Sequence, residues 1–456
     1  MAIHTDTLQD LDYRHLWHPY TDTNAYEAAP WVCFERAQGV YLYDNAGRAV
    51  LDGIASWWAV ALGHSHPRIV EAIRAQAGVL QHAILGNQTH PVAVKLAARL
   101  AGIAPAGLTR CYFASDGASA TEAALKIAIQ YWHNRGVRGK TRFVALDEGY
   151  HGDTLGAVGV GYVPTFHAPF DGAVIKSFVA PSPHRAANTD DAADRSHALE
   201  AFAAMERIVD EHESEIAGII LEPLCLGAAG IRIYHPEYLR RVRALCDARG
   251  LLFIADEIAV GFGRTGCVFA CNLAGIAPDI LCLGKAMTGG TLPMSATIVT
   301  EEIYDTFRNE PGRDRTFYDG HTYCGNPITS AAALAFLDAF EQEGVMDNVV
   351  ACAPQLAEGM ARLALHPAVQ FHKSLGLIGM IALKPESGGS ALAKRVARRA
   401  LDLGLFIRPL GNILYLWPPL TTTESELAKM LDLFRAALEW GQHPVAEPLP
   451  SSDDGR

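Results

Sequence analysis

Residues 251–257 read LLFIADE, five apolar residues that end on two carboxylates. A run without polar interruption has no face to offer water, so 251–255 is predicted as a strand covered on both sides, as in parallel sheets. Asp256 then stands at the strand's carboxyl end, beyond which open α/β sheets bind their ligands. Outward from this stretch the pattern recurs. Short apolar strands are predicted at 110–114, 142–146, 217–221 and 279–283, and amphipathic helices at 119–135 and 235–249. That alternation predicts βαβ units, hence an α/β fold on a mostly parallel sheet. An Ala-rich helix is expected from 328 to about 343. A helix, two or three strands and two more helices ending near Trp440 then predict a smaller α+β part. The Ala-, Asp- and Pro-rich stretch 181–196 reads as a loop leading into a helix from about 197.

With 456 residues, half of them apolar, the chain exceeds the usual size of a single core, which favours two lobes. Fifty acidic against 38 basic residues give a net charge of −12, so no basic field draws nucleic acid or an anionic membrane, and small-molecule chemistry is favoured. The first twelve residues lack an apolar leader and no run of about 18 apolar residues occurs, so a soluble cytoplasmic protein is expected. Nine scattered cysteines without a CxxC pair read as reduced, buried filler. Cys267 and Cys271 have no second pair nearby, and His64 and His66 no third ligand, so no metal is expected.

Three strand ends carry usable chemistry. At 114–119, ASDGAS precedes a helix, where free N–H groups and the helix dipole can hold a phosphate; the alternative is a plain turn with Ser119 as N-cap and Glu122 completing a capping box. At 256 a buried carboxylate needs a cationic or hydrogen-bonding mate, either a cofactor's ring or a structural salt bridge. At 283–287, LGKAM places Lys285 between an apolar strand and Gly289-Gly290. Desolvation there favours the free amine that forms Schiff bases, and a surface loop lysine is the alternative. The order glycine turn, strand-Asp, strand-Lys favours the chemical reading of all three.

That arrangement, together with SDGASATEAALKIA (115–128), YHGDT (150–154), EP at 222, DEIAVGFGRTG (256–266) and LGKAMTGG (283–290), resembles the fold-type I pyridoxal-phosphate enzymes and, among them, the subgroup-III aminotransferases, from Trp17 to about Pro419. The resemblance implies pyridoxal 5'-phosphate as cofactor and a homodimer with composite active sites. It also implies a large domain at 65–330 and a small domain from 1–64 and 331–445, while the Pro, Ser and Asp of 446–456 predict a disordered tail. Gly117 and Ala118 would bind the phosphate and Tyr150 stack on the ring. Asp256 would pair with the ring nitrogen, and Lys285 would hold the cofactor and move protons. Gly320, His321 and Thr322 would come from the neighbouring subunit, with Thr322 reaching the phosphate.

HLWHPYT (15–21), SWW (56–58), PDILCLGKAMTGGT (278–291) and IRPLGNILYLWPP (407–419) are similar to the branch of the family that serves biotin synthesis by aminating 8-amino-7-oxononanoate. S-adenosylmethionine is the donor that branch implies, with lysine the alternative. Tyr20 and Trp57 would line the substrate site beside Tyr150, Lys285 and Gly320, although Trp57-Trp58 also fits simple core packing. Arg408 would take a substrate carboxylate through its planar fork. The sequence departs from the family at Ala118, where many relatives carry Ser, and at His321, where Pro is common. Ornithine-, GABA- and other ω-amino-acid aminotransferases carry Gln and Glu where this chain has Ala259 and Ala228. A decarboxylase or aminomutase on the same scaffold, and a silent cofactor-binding protein, are the readings from other classes.

Overall fold

The computed structural model describes residues 7–441, so the expected tail at 446–456 lies outside the described residues. In chain order the strands are β1 (Phe34–Gln38), β2 (Tyr41–Asp44), β3 (Ala49–Asp52), β4 (Leu108–Ala114), β5 (Arg142–Leu146), β6 (Phe178–Ala180), β7 (Ile216–Leu221) and β8 (Cys225–Leu226). There follow β9 (Arg232–Ile233), β10 (Leu252–Asp256), β11 (Ile280–Leu283), β12 (Ser295–Thr300), β13 (Val369–Leu375), β14 (Ile378–Leu383), β15 (Leu405–Phe406) and β16 (Ile413–Leu416).

The large sheet has the order β4-β12-β11-β10-β7-β5-β6. From β11 to β6 every pairing is parallel, and β12 alone runs against its two neighbours. Strands β7, β10 and β11 are buried at every residue, as their unbroken apolar runs require. Helices Gly117–Asn134, Asp191–His212 and Glu237–Arg249 cover the sheet, and all carboxyl ends but that of β12 open on one edge.

The two helix starts differ from expectation, each through an aspartate. Asp190 accepts from the Ala193 N–H at 2.8 Å, and Asp191 and Asp194 add negative charge to the first turn, so the helix begins at Asp191 rather than near 197. Composition alone read those acids as loop. Similarly, Asp116 and not Ser119 caps the helix at 117, accepting from the Ser119 N–H at 2.9 Å. Glu122 closes no capping box; it takes the Thr154 hydroxyl at 2.7 Å and the Gly156 N–H at 2.9 Å, anchoring a distant turn.

Three smaller sheets accompany this body: the β8-β9 pair, β13-β14-β16, and β1-β2-β3-β15, in which β15 joins β3 in parallel and so ties the C-terminal stretch to the N-terminal one. All nine cysteines are free, five of them buried, and among the described residues no helix is long and apolar enough to cross a membrane.

Candidate active site

Asp256 is the last residue of β10, opposite Cys282 in β11, and Lys285 follows β11 by one short turn. Lys285 holds φ at 35°, a strained conformation for a residue with a Cβ and one that recurs at functional sites. Both side chains face a cavity of about 430 Å³ that Asp116, Gly117, Ala118, Tyr150, His151 and Glu222 also line. The strand-end glycine, aspartate and lysine therefore meet in one place.

Buried charges in this cavity are largely compensated. Asp256 accepts from the Ile258 N–H at 3.0 Å and from His151 Nδ1 at 2.7 Å. A carboxylate can only accept, so Nδ1 carries the proton, and His151 Nε2 is left buried with no partner among the described residues. Glu222, directly after β7, accepts from the Tyr150 N–H at 3.0 Å and the Gly227 N–H at 2.9 Å. Burial pushes its carboxyl up to about 7. Burial likewise lowers the Lys285 amine, opposed by the negative charge of Asp256 and Glu222, and the amine sits 5.4 Å from the centre of the Trp58 ring. His151 and Glu222 received no role from sequence, although both stand within quoted motifs. Their signal is position, because each comes within five residues of the carboxyl end of a predicted strand.

These residues fit pyridoxal phosphate at each of its poles. The start of the Gly117–Asn134 helix offers free N–H groups to a phosphate, with no side chain at Gly117, where a Cβ would meet Ile258 at 2.9 Å. Asp256 offers a buried anion to a protonated ring nitrogen. Lys285 offers a desolvated amine to an aldehyde. Gly152, at φ 122°, lies so close to Ala118 that a Cβ would come within 2.4 Å of its methyl, so the 150–154 turn closes down on the helix start.

A second cavity of about 910 Å³ shares Trp58, Tyr150, Asp153 and Lys285 with the first and opens outward past Tyr20, Trp57 and Arg408. Residues 55–58 all adopt positive φ, between 44° and 72°. Asp52 braces this strained turn, accepting from Ser56 Oγ at 2.7 Å and bonding His64 Nε2 at 2.8 Å. The two adjacent tryptophans then part company. Trp58 is 4% exposed and stacks on Trp417 at 4.9 Å, so core packing holds for it, whereas Trp57 is 40% exposed in the outer cavity. Arg408 lies over the Trp57 ring with its Cζ 4.2 Å from the centroid and donates from Nη2 to the Tyr20 carbonyl at 3.0 Å. Asp153, unmarked in sequence, accepts from Tyr20 at 2.5 Å and Tyr150 at 2.9 Å. Burial and Asp153 push the Tyr20 hydroxyl up to about 12. Ala228 and Ala259 line the outer and inner cavity respectively.

Gly320, His321 and Thr322 line neither cavity of their own chain. Their loop is held from below, by His321 Nδ1 at 3.3 Å from Ser115 Oγ and by Asp319 bonded to Tyr112 and Lys126. His64 and His66 face different carboxylates, Asp52 and Glu343, and among the described residues no group of three candidate ligands could hold a metal.

The class-III aminotransferase profile matches residues 23–438. An adenosylmethionine-8-amino-7-oxononanoate aminotransferase of Geobacter sulfurreducens is 38% identical over 437 residues, which cover 94% of this chain and 96% of that one. The crystal structure of the enzyme so named from Methanocaldococcus jannaschii superposes with a TM-score of 0.89 at 36% identity, covering 95% of this chain and 98% of the other. An amine transaminase from an uncultivated Pseudomonas species, solved in its PLP-bound form, gives 0.87 at 32% identity, with 94% and 99% covered.

Proposed function

The chain belongs to the class-III aminotransferases, pyridoxal-phosphate enzymes of fold type I, and from that premise we propose that it aminates 8-amino-7-oxononanoate to 7,8-diaminononanoate in biotin synthesis. S-adenosylmethionine, which the names of the relatives carry, is the amino donor. The observation that carries this reading is the outer cavity. It runs from Lys285 past Tyr20 and Trp57 to a guanidinium, and so suits an apolar chain with a ketone at one end and a carboxylate at the other. The small side chains of Ala228 in its wall and of Ala259 in the inner cavity support the same substrate over one that needs a gating carboxylate.

When bound, pyridoxal phosphate supplies an electron sink at the substrate carbon and stores the amino group between the two half-reactions. Gly117 and Ala118 would hold its phosphate with their N–H groups, and Tyr150 would cover its ring. Asp256 would pair with the protonated ring nitrogen, and His151, donating from Nδ1, holds the Asp256 carboxylate in place. With the cofactor bound, Lys285 Nζ would take the proton from the donor's α-carbon and deliver it to the cofactor's aldehyde-derived carbon, acting as base and then acid. In the second half Lys285 moves protons in the opposite sense at C7 of the acceptor. Trp58 and Ile258 wall this chemistry from water.

In this reading the protein is a cytoplasmic homodimer, with residues 65–330 as the large lobe and 1–64 with 331–445 as the small one. Gly320, His321 and Thr322 are presented to the partner's cofactor.

The test is to supply holoenzyme with 8-amino-7-oxononanoate and either S-adenosylmethionine or lysine, and to measure 7,8-diaminononanoate. Product with S-adenosylmethionine is expected. Product with lysine alone would reassign the donor, and no product with either would overturn the reaction.

A further inference from the structure

His167 is buried beside the outer cavity and belongs to no motif quoted above. It closes the short helix Pro164–His167, whose Pro164, Thr165 and Phe166 wall that cavity. Its Nδ1 lies 3.0 Å from the Val163 N–H, and its Nε2 lies 3.4 Å from Asp153 Oδ1. A backbone N–H can only donate, so Nδ1 is the acceptor. The ring is then fixed in the tautomer that carries its proton on Nε2, aimed at the Asp153 carboxylate.

Asp153 thereby receives three donors. Tyr20 and His167 share Oδ1, and Tyr150 takes Oδ2. The carboxylate is half-exposed, so its orientation depends on these donors. Of the three, His167 alone ties it to the 163–167 wall, and Phe166 from that wall meets the Tyr20 ring edge-on at 5.3 Å. The wall, the carboxylate and both tyrosines form a closed loop of contacts around the cavity mouth.

We propose that His167 is a positioning residue for the acceptor substrate. As a neutral imidazole it sets the Asp153 carboxylate, which aims the Tyr20 and Tyr150 hydroxyls, and it keeps the 163–167 wall in register with them. It touches no reacting atom. The assignment rests on the reading of the outer cavity as the site for 8-amino-7-oxononanoate.

Two variants separate the two ring nitrogens. In His167→Asn the side-chain oxygen stands near the Nδ1 position and still accepts from Val163, but nothing reaches Asp153. In His167→Gln the amide extends to Asp153 and the Val163 acceptor is lost. With holoenzyme, His167→Asn should raise KM for 8-amino-7-oxononanoate roughly tenfold, the scale of one hydrogen bond to a charged group, with kcat within about twofold and the thermal midpoint unchanged. His167→Gln should recover most of that KM. A wild-type KM in the Asn variant, or a Gln variant no better than Asn, overturns the proposal. A wild type that does not turn over the acceptor would reject the substrate reading instead. The crystal structure of His167→Asn then decides: Asp153 rotated away from Tyr20 supports the positioning role, and Asp153 still gripping both tyrosines overturns it.

Discussion

The floor and the mouth of this site are built on different principles. The floor comes from strand ends on one edge of the mostly parallel sheet, Ala114, Leu146, Leu221, Asp256 and Leu283, so Asp116, Glu222, Asp256 and Lys285 are delivered to that edge by topology alone. The mouth comes from stretches far apart in sequence, with Tyr20 and Trp57 near one end of the chain, Asp153 and Phe166 in the middle and Arg408 near the other end. Floor residues are fixed by backbone N–H groups and buried partners. Mouth residues fix each other through side chains, as in the Tyr20–Asp153–Tyr150 bridge and the Arg408 guanidinium over Trp57. A floor of this kind suits chemistry common to many substrates, and a mouth of this kind can be rebuilt for each.

If that division holds, variants in the two regions should fail differently. Asp256→Ala should cost the most, lowering kcat at least roughly a hundredfold by removing the anion that keeps the ring an electron sink, with a small change in KM. Arg408→Ala should do the reverse, raising KM for 8-amino-7-oxononanoate roughly thirtyfold through loss of a charge-assisted pair, with kcat nearly unchanged. Steady-state kinetics on both variants checks the split, and a fall in kcat as large for Arg408→Ala as for Asp256→Ala would break it.

A smaller effect sharpens the comparison from the side of stability. Glu222 titrates near 7 in the fold and near the ordinary 4.5 when unfolded, because burial disfavours its charge. Between those values the folded chain binds the extra proton, so Glu222 contributes stability that is fully present below pH 4.5 and lost as pH rises through 7. In denaturant titrations of the apoprotein, Glu222→Gln should flatten the fall of stability across that window by up to about 1.4 kcal/mol per pH unit. Identical slopes for variant and wild type would show that Glu222 is ionised throughout.

The same contrast governs what the sequence could tell. Strands β10 and β11 announce themselves as unbroken apolar runs, so Asp256 and Lys285 were legible as strand-end groups before any fold was known. His151 and Glu222 sit at the same edge, and their one signal is that each follows a predicted strand within five residues. The mouth has no periodic signal at all. Tyr20, Trp57 and Arg408 could be named only through resemblance, and the opposite fates of Trp57 and Trp58 depend on four consecutive positive-φ residues that no propensity foretells. The start of the Asp191 helix was hidden for a simpler reason, since capping aspartates look like loop when only composition is weighed.

Central to all of this is one amine, that of Lys285, poised in the inner cavity between Asp256, Glu222 and Trp58. Holoenzyme treated with sodium borohydride, digested and mapped by mass spectrometry tests it directly. The cofactor should be found fixed to the peptide carrying Lys285, and to no other lysine. Cofactor attached elsewhere, or released intact from the reduced protein, would contradict the account.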